Sequence, residues 1–103
     1  MSAAPAPRFQ VRLALTAPGA VPPTAAEEAL RLLASDGVAA RWSSVVAQPT
    51  DHGIELCVVC GGADAQAASD AVVDGVRALA GLDATFTRWV VEARRVVVEE
   101  LPA

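Results

Sequence analysis

The strictest pattern in this sequence is an alternation of apolar and polar side chains close to its start. From Arg8 to Leu15 the apolar residues are Phe9, Val11, Leu13 and Leu15, each separated from the next by Gln10, Arg12 or Ala14. A period of two is typical of a β-strand that lays one face on a core and turns the other toward water or a partner. The same alternation returns between Ile54 and Cys60. The chain therefore contains a sheet with one apolar face.

Helical patterns separate the predicted strands. Thr24 and Glu27 have the spacing of a capping box, which predicts a helix from about Ala25 to Ser35 that stops at Gly37. A second helix opens at Gly61-Gly62-Ala63-Asp64, with Asp64 or Gly62 as its N-cap, and ends at Gly81. Further strands are predicted over Val38–Ala47 and Thr85–Ala93, and residues 94–101 either extend the last strand or form a separate one.

The predicted order is β-α-β-β-α-β. Right-handed crossovers then place two helices on one face of a four-stranded antiparallel sheet. This α+β arrangement is the ferredoxin-like sandwich. A chain of 103 residues has room for one such domain, so we expect a flexible lead-in over residues 1–7 and a single domain over residues 8–101.

The layout resembles that of ACT-type regulatory domains. It has a strand, the turn Ala17-Pro18-Gly19, a helix that stops at Gly37, two strands, a second helix that ends in Leu79-Ala80-Gly81, and a last strand. In that family, an acidic-Pro-Gly turn after the first strand often contacts an amino-acid ligand at a subunit interface. The resemblance implies that Pro18 and Gly19 form a ligand turn, with Ala17 in place of the usual acidic or polar residue.

Charge and composition exclude several classes of partner. Twelve acidic residues outnumber eight arginines, and the formal net charge of −4 opposes a general attraction to nucleic acid or anionic lipid. RNA-binding versions of this fold stack bases on aromatic side chains of the two central strands, where this chain carries Gln10, Arg12, Glu55 and Cys57. No apolar run approaches the roughly 18 residues that span a bilayer. We expect neither a nucleic-acid partner nor a membrane partner.

The cysteines and the N-terminal segment predict a cytoplasmic location. Two cysteines are too few for a disulfide framework, and the first residues lack the pattern of a secretory signal. The chain has no Lys, Asn or Tyr, a bias that is typical of a GC-rich bacterial genome.

Three local arrangements contain residue types that could carry chemistry, and none favours catalysis. Cys57 and Cys60 match a C-x-x-C pattern, but residues three apart on a strand point to opposite faces, so a redox or metal role needs the strand to end early. His52 lies in a predicted hairpin and has too few neighbouring donors for zinc. Gly61-Gly62 lacks the remaining residues of a phosphate loop. We therefore predict no catalytic residue, no metal and no cofactor.

The helix-free face of the sheet is the most informative candidate site. If Trp42 and Val46 of the second strand and Trp89 and Val91 of the last strand are buried, their neighbours turn outward with the polar side of the central strands. The candidate binding or interface residues on this face are Arg12, Arg41, Glu55, Arg88 and Glu92. Three interpretations stay open: an ordinary solvated face, a homodimer in which Arg and Glu pair between copies, and a clamp for a carboxylate or phosphate.

We expect a non-catalytic binding, regulatory or protein-interaction domain. It would be a homodimer through its open sheet face or its C-terminal strand, with a small anionic or amino-acid-like ligand as a candidate. The alternative is a small dimeric α+β-barrel enzyme that acts on a small organic molecule in a pocket on the sheet face. Such a pocket would be mostly apolar, which requires Val45, Val59, Phe86 and Val90 to line it.

Overall fold

A computed structural model describes residues 7–35, 37 and 41–99 of the chain. The elements are β1 (Arg8–Thr16), α1 (Ala25–Ser35), β2 (Ser44–Thr50), β3 (Gly53–Gly61), α2 (Ala65–Leu82) and β4 (Val90–Glu99). They form an α+β structure with one four-stranded antiparallel sheet and two helices. Most of the expected lead-in (residues 1–6) and the end of the expected domain (residues 100–101) lie outside the described residues.

The strands lie in the order β2-β3-β1-β4, so β1 and β3 are central and β2 and β4 are the edges. β4 is one strand from Val90 to Glu99, which answers whether residues 94–99 form a separate piece. Its pairing with β1 shifts once: Arg12 lies opposite Arg95 while Leu13 lies opposite Ala93. Arg94 is therefore the extra residue of a β-bulge, which locally changes the direction of the strand.

The core lies on one face of the sheet, and both helices pack there. Leu13, Leu56, Val11 and Val58 of the central strands are fully buried, as their alternation predicts. Ala29 and Leu33 of α1 and Val72, Val76 and Leu79 of α2 belong to the same cluster of buried side chains. The residues between them on β1 and β3 are exposed or half-buried. One face of the sheet is consequently left open.

The two helices begin differently. Of the two predicted candidates, Asp64 and not Gly62 is the N-cap of α2, and its Oδ1 accepts a hydrogen bond from the Ala67 amide at 2.8 Å. At α1 the Thr24 hydroxyl donates instead to Oε1 of Glu28 at 3.1 Å, so the expected pairing of Thr24 with Glu27 is replaced by a contact one residue further on. No helix among the described residues is both long and apolar enough to cross a bilayer.

β2 begins and ends later than its sequence predicts. Val38–Ala40 lie outside the described residues, Arg41–Ser43 precede the strand, and the strand continues through Pro49 to Thr50. Proline is tolerated because β2 is an edge strand, where a missing N–H need not break the ladder. The two faces of β2 are also the reverse of those expected from the sequence, in which Val46 was buried. Val45 lies opposite buried Val58 and packs on the core, whereas Val46 is 52% exposed.

β4 likewise starts later, at Val90 rather than Thr85. The segment before it folds into turns, in which Asp83 Oδ1 accepts from the Thr85 amide at 2.8 Å and the Phe86 amide donates to the Asp83 carbonyl at 3.2 Å. These turns bury Phe86, which meets Trp89 edge to face with 4.9 Å between ring centroids. Phe86 therefore does not line the sheet face as the enzyme alternative requires, because no strand holds it there.

Candidate functional site

The open face is the side of the sheet that neither helix covers. We define it by the strand residues that alternate with the core positions and carry side chains: Arg8, Gln10, Arg12, Ala14 and Thr16 of β1, Glu55, Cys57 and Val59 of β3, Ser44, Val46, Gln48 and Thr50 of β2, and Val90, Glu92, Arg95 and Val97 of β4. The strand register arranges them in rows that cross the sheet.

Two adjacent rows at the middle of the open face carry opposite charge. In one row, Arg12 lies between Cys57 and Arg95. In the next, Ala14 lies between Glu55 and Glu92. Like charges that lie directly opposite on neighbouring strands repel each other. An anion or a carboxylate that binds beside Arg12 and Arg95 would relieve this repulsion.

One ion pair joins the two rows. Arg12 Nη1 lies 3.5 Å from Glu55 Oε1, with both side chains partly exposed. Among the described residues this is the one ion pair within 4.0 Å. Such an exposed pair contributes little to stability, at most about 1 kcal/mol. The ion pair with Glu55 neutralises Arg12. Arg95, by contrast, has no carboxylate within 4.0 Å in the described part of the protomer.

A groove of about 580 Å³ runs beside Arg12 at the end of the open face that carries the β2–β3 turn. Thr50, His52 and Glu55 line one side of it, and Arg94 and Arg95 line the other. This volume falls in the range of small-molecule sites. A smaller depression of about 200 Å³ lies on the opposite side of Arg12, against Val46 and Cys57.

The structure brings three of the five predicted site residues together. Arg12, Glu55 and Glu92 lie on the open face. Arg41 precedes β2 near Val59, and Arg88 precedes β4 near Thr16, which are diagonally opposite corners of the sheet. Their expected place on this face depended on strands that begin later than predicted.

Arg94 and Arg95 are the basic residues at the open face that sequence reasoning missed. The sequence predicted that residues 94–101 extend the last strand or form a separate one, and it assigned neither arginine to a face of the sheet. The bulge places Arg95 opposite Arg12 and brings Arg94 to the groove. Two consecutive arginines within a predicted strand were the available signal. Which of the two lies on the open face depends on the pairing of β4 with β1.

Pro18 and Gly19 lie exposed in the loop between β1 and α1. The loop begins beside the β2–β3 turn, because the Ala17 amide donates to the His52 carbonyl at 2.8 Å. Their role as a ligand turn stays a prediction.

The cysteines take the opposite faces that the strand alternation predicts. Cys57 is half-buried on the open face, Cys60 is buried in the core, and both are free thiols. Desolvation by burial raises the pKa of Cys60, which disfavours the reactive thiolate. His52 is exposed in the β2–β3 turn, and the described residues contain no group of three His, Cys, Asp or Glu side chains that could hold a metal ion.

Gly62, the second of the two glycines before α2, has a packing explanation. A Cβ at Gly62 would lie 3.0 Å from the Cβ of Ala68, in the first turns of the helix. Such an approach is tighter than ordinary van der Waals contact. Gly62 thus lets the chain turn closely onto α2, while Asp64 occupies the cap with a negative charge.

Comparisons of this chain with protein-family models, with curated proteins and with solved structures find no match.

Proposed function

We propose that this chain is a non-catalytic binding domain of the ferredoxin-like type that forms a homodimer through its open face. Support for the fold comes from strand directions. β1 and β2 run the same way with β3 between them, and β3 and β4 run the same way with β1 between them. Two interleaved β-α-β units are the pattern of that fold.

The observation that carries the homodimer is the uncovered sheet face itself. Its central rows alternate in charge, and its two edges present Val46 and Val90, which are 52% and 53% exposed. Apolar side chains at both margins of a charged, self-complementary face favour a partner of the same composition.

The sheet edges are poorer docking sites than the face. β2 carries Pro49, which cannot donate a ladder hydrogen bond, and β4 carries the bulge at Arg94. Proline and bulges are devices by which edge strands resist pairing with other chains. Between the open face and the C-terminal strand, the geometry favours the open face.

The size of the face suits a modest dimer. Four strands about 4.8 Å apart and about 9 residues long, at about 3.3 Å per residue, cover about 570 Å². Two copies would bury about 1,100 Å² in total, which is at the low end of specific interfaces. We therefore expect a dimer that dissociates on dilution.

The enzyme alternative receives less support. Of the four residues required to line an apolar pocket, Phe86 and Val45 pack on the core, and Val59 and Val90 share the open face with Arg12 and Glu55. A binding role, with the groove beside Arg12 as the place for a small anionic or amino-acid-like ligand, fits this composition better. The cytoplasmic location expected from the sequence remains part of the proposal.

Val46→Asp tests the homodimer. Val46 lies on the open face, and a carboxylate there would have to be desolvated when a second copy docks, which is costly. We expect Val46→Asp to move the weight-average mass from dimer toward monomer in sedimentation equilibrium.

Val98→Asp is the matched control. Val98 also belongs to an edge strand and is 59% exposed, but it lies opposite Phe9 on the core side of the sheet. We expect this variant to associate like the wild type. A wild-type chain that is monomeric at every accessible concentration, or two variants that behave alike, would contradict the proposal.

A further inference from the structure

The open-face residues of β4 form a pattern that is complementary to itself. Between Val90 and Val97 they are, in chain order, Val90, Glu92, Arg95 and Val97. If a second β4 runs antiparallel to the first, valine meets valine at both ends, and each arginine meets a glutamate in the middle. An isologous interface requires this kind of self-complementarity, because a two-fold axis brings the same patch of both copies together.

The bulge creates this pattern. Glu92 and Arg95 are three residues apart, so a regular strand would turn them to opposite faces. The extra residue Arg94 restores Arg95 to the open face, opposite Arg12, while Glu92 stays on that face opposite Ala14. Bulges often serve to re-aim a side chain, and this one brings a cation and an anion to neighbouring rows of one strand.

Neither Glu92 nor Arg95 forms an ion pair in the described part of the protomer. The ion pair within 4.0 Å there is that of Arg12 with Glu55. In the two central rows of the open face, Arg95 and Glu92 are thus a cation and an anion without an ion pair, while Arg12 and Glu55 neutralise each other. The bulge residue Arg94 adds a second such cation at the groove beside these rows.

We propose that two copies stack their open faces about a two-fold axis that crosses the strands between the Arg12 row and the Ala14 row. This inference rests on the proposed homodimer and specifies its register. Arg95 of each copy then lies over Glu92 of the other, and Val97 lies over Val90. Within β1, the long Arg12 side chain lies over the small Ala14 of the second copy.

The proposed stacking agrees with the spacing and the rotation of sheets that pack face to face. Stacked sheets lie about 10 Å apart, with their strands rotated by about 30°. Glu92 and Arg95 lie on either side of the axis, where a rotation displaces residues least. Because β4 is an edge strand, the two ion pairs sit at the rim of the interface and keep part of their hydration. Rim charges set register and partner choice more than affinity.

Charge reversal tests the register. We expect Arg95→Glu and Glu92→Arg each to raise the dimer dissociation constant about tenfold, because each reversal replaces two attractions by two repulsions. The double variant with both reversals should restore association to near the wild-type level. Arg88→Glu is the matched control, since it makes the same charge change on an exposed residue off the open face, and it should associate like the wild type. Sedimentation equilibrium measures the constants, and thermal unfolding verifies that each variant is folded.

The outcomes separate the register from the homodimer. If Val46→Asp dissociates the dimer but the double charge reversal does not restore it, the register is overturned and the open-face dimer stands. If the reversal restores association while Val46→Asp has no effect, β4 pairs edge to edge and the stacked arrangement is overturned. A monomeric wild type overturns both. Inorganic phosphate that stabilises the wild type but not Arg95→Glu would assign Arg95 to an anion instead of a second copy.

Discussion

At the residue scale, Gly53 is the position where this fold depends most directly on the lack of a side chain. It begins β3 opposite Thr16 and is buried. A Cβ there would overlap the carbonyl oxygen of Leu15. The reason is steric and not conformational, since the one described glycine with positive φ is Gly37. The close approach of two backbones at the end of the central ladder requires glycine.

We expect Gly53→Ala to lower the free energy of unfolding by about 2 kcal/mol, because the backbone atoms that a Cβ would meet cannot move aside without breaking the β1–β3 ladder. Urea unfolding followed by circular dichroism measures the change. Gly81→Ala is the control: Gly81 lies near the end of α2 with open space around it, and alanine there should stabilise the helix by up to about 1 kcal/mol. Equal effects at both positions would refute the steric explanation.

At the scale of elements, the two helices differ in how their first turns are satisfied. In α2, the Asp64 carboxylate accepts from a backbone amide that would otherwise have no partner. In α1, the Thr24 hydroxyl donates to the exposed Glu28 carboxylate, and the Thr24 carbonyl accepts from the Glu28 amide at 2.9 Å. Only the first arrangement uses a side chain to satisfy the helix backbone.

Asp64→Ala should therefore cost about 1 kcal/mol of stability, the usual effect of removing an N-cap side chain. Thr24→Ala should cost less than half of that, because its hydroxyl joins another exposed side chain and the backbone contact survives. Chemical denaturation of both variants compares the two helix starts within one protein. A larger loss for Thr24→Ala than for Asp64→Ala would mean that Thr24 caps α1 after all.

At the scale of the whole molecule, the two thiols report on different surfaces. Cys60 is buried in the protomer, and burial raises its pKa, so it should react slowly with a thiol reagent at any protein concentration. Cys57 is half-buried on the open face beside Arg12, which a second copy would cover.

We expect the labelling rate of Cys57 at neutral pH to fall as protein concentration rises through the dimer dissociation constant. In Val46→Asp the rate should be independent of concentration, because that variant is expected to stay monomeric. Mass spectrometry of the labelled peptides assigns each rate to its cysteine. A labelling rate of Cys57 in the wild type that does not depend on protein concentration would contradict the proposed open-face dimer.

Local patterns predicted the central part of this molecule well. The alternation in β1 is consistent with one phase only, because a shift by one residue would expose a complete apolar face. In β3 the alternation is weaker, since Cys57 and Val59 are also apolar, but Glu55 indicates the same phase. Arg12, Glu55 and the separation of Cys57 from Cys60 follow from that alternation. Asp64 was one of two residues that the sequence offered as the cap of α2, the other being Gly62, and the structure selects Asp64.

The edge strands were less predictable for a physical reason. β2 and β4 are partly exposed on both faces, so runs such as Val45-Val46 and Val96-Val97-Val98 are compatible with either phase. The sequence predicted that the second strand ends at Ala47, yet pairing with β3 extends β2 through Gln48, Pro49 and Thr50.

The amino-acid sequence by itself determined the order of elements, the existence of β1 and β3 and the face that each of them buries, because those depend on periodicity within single segments. Only the tertiary structure decided where β2 and β4 begin, that Arg41 and Arg88 lie off the open face, and that Arg95 lies on it. These features depend on which partner residue sits across the ladder, and a bulge of one residue reverses the face of every side chain beyond it.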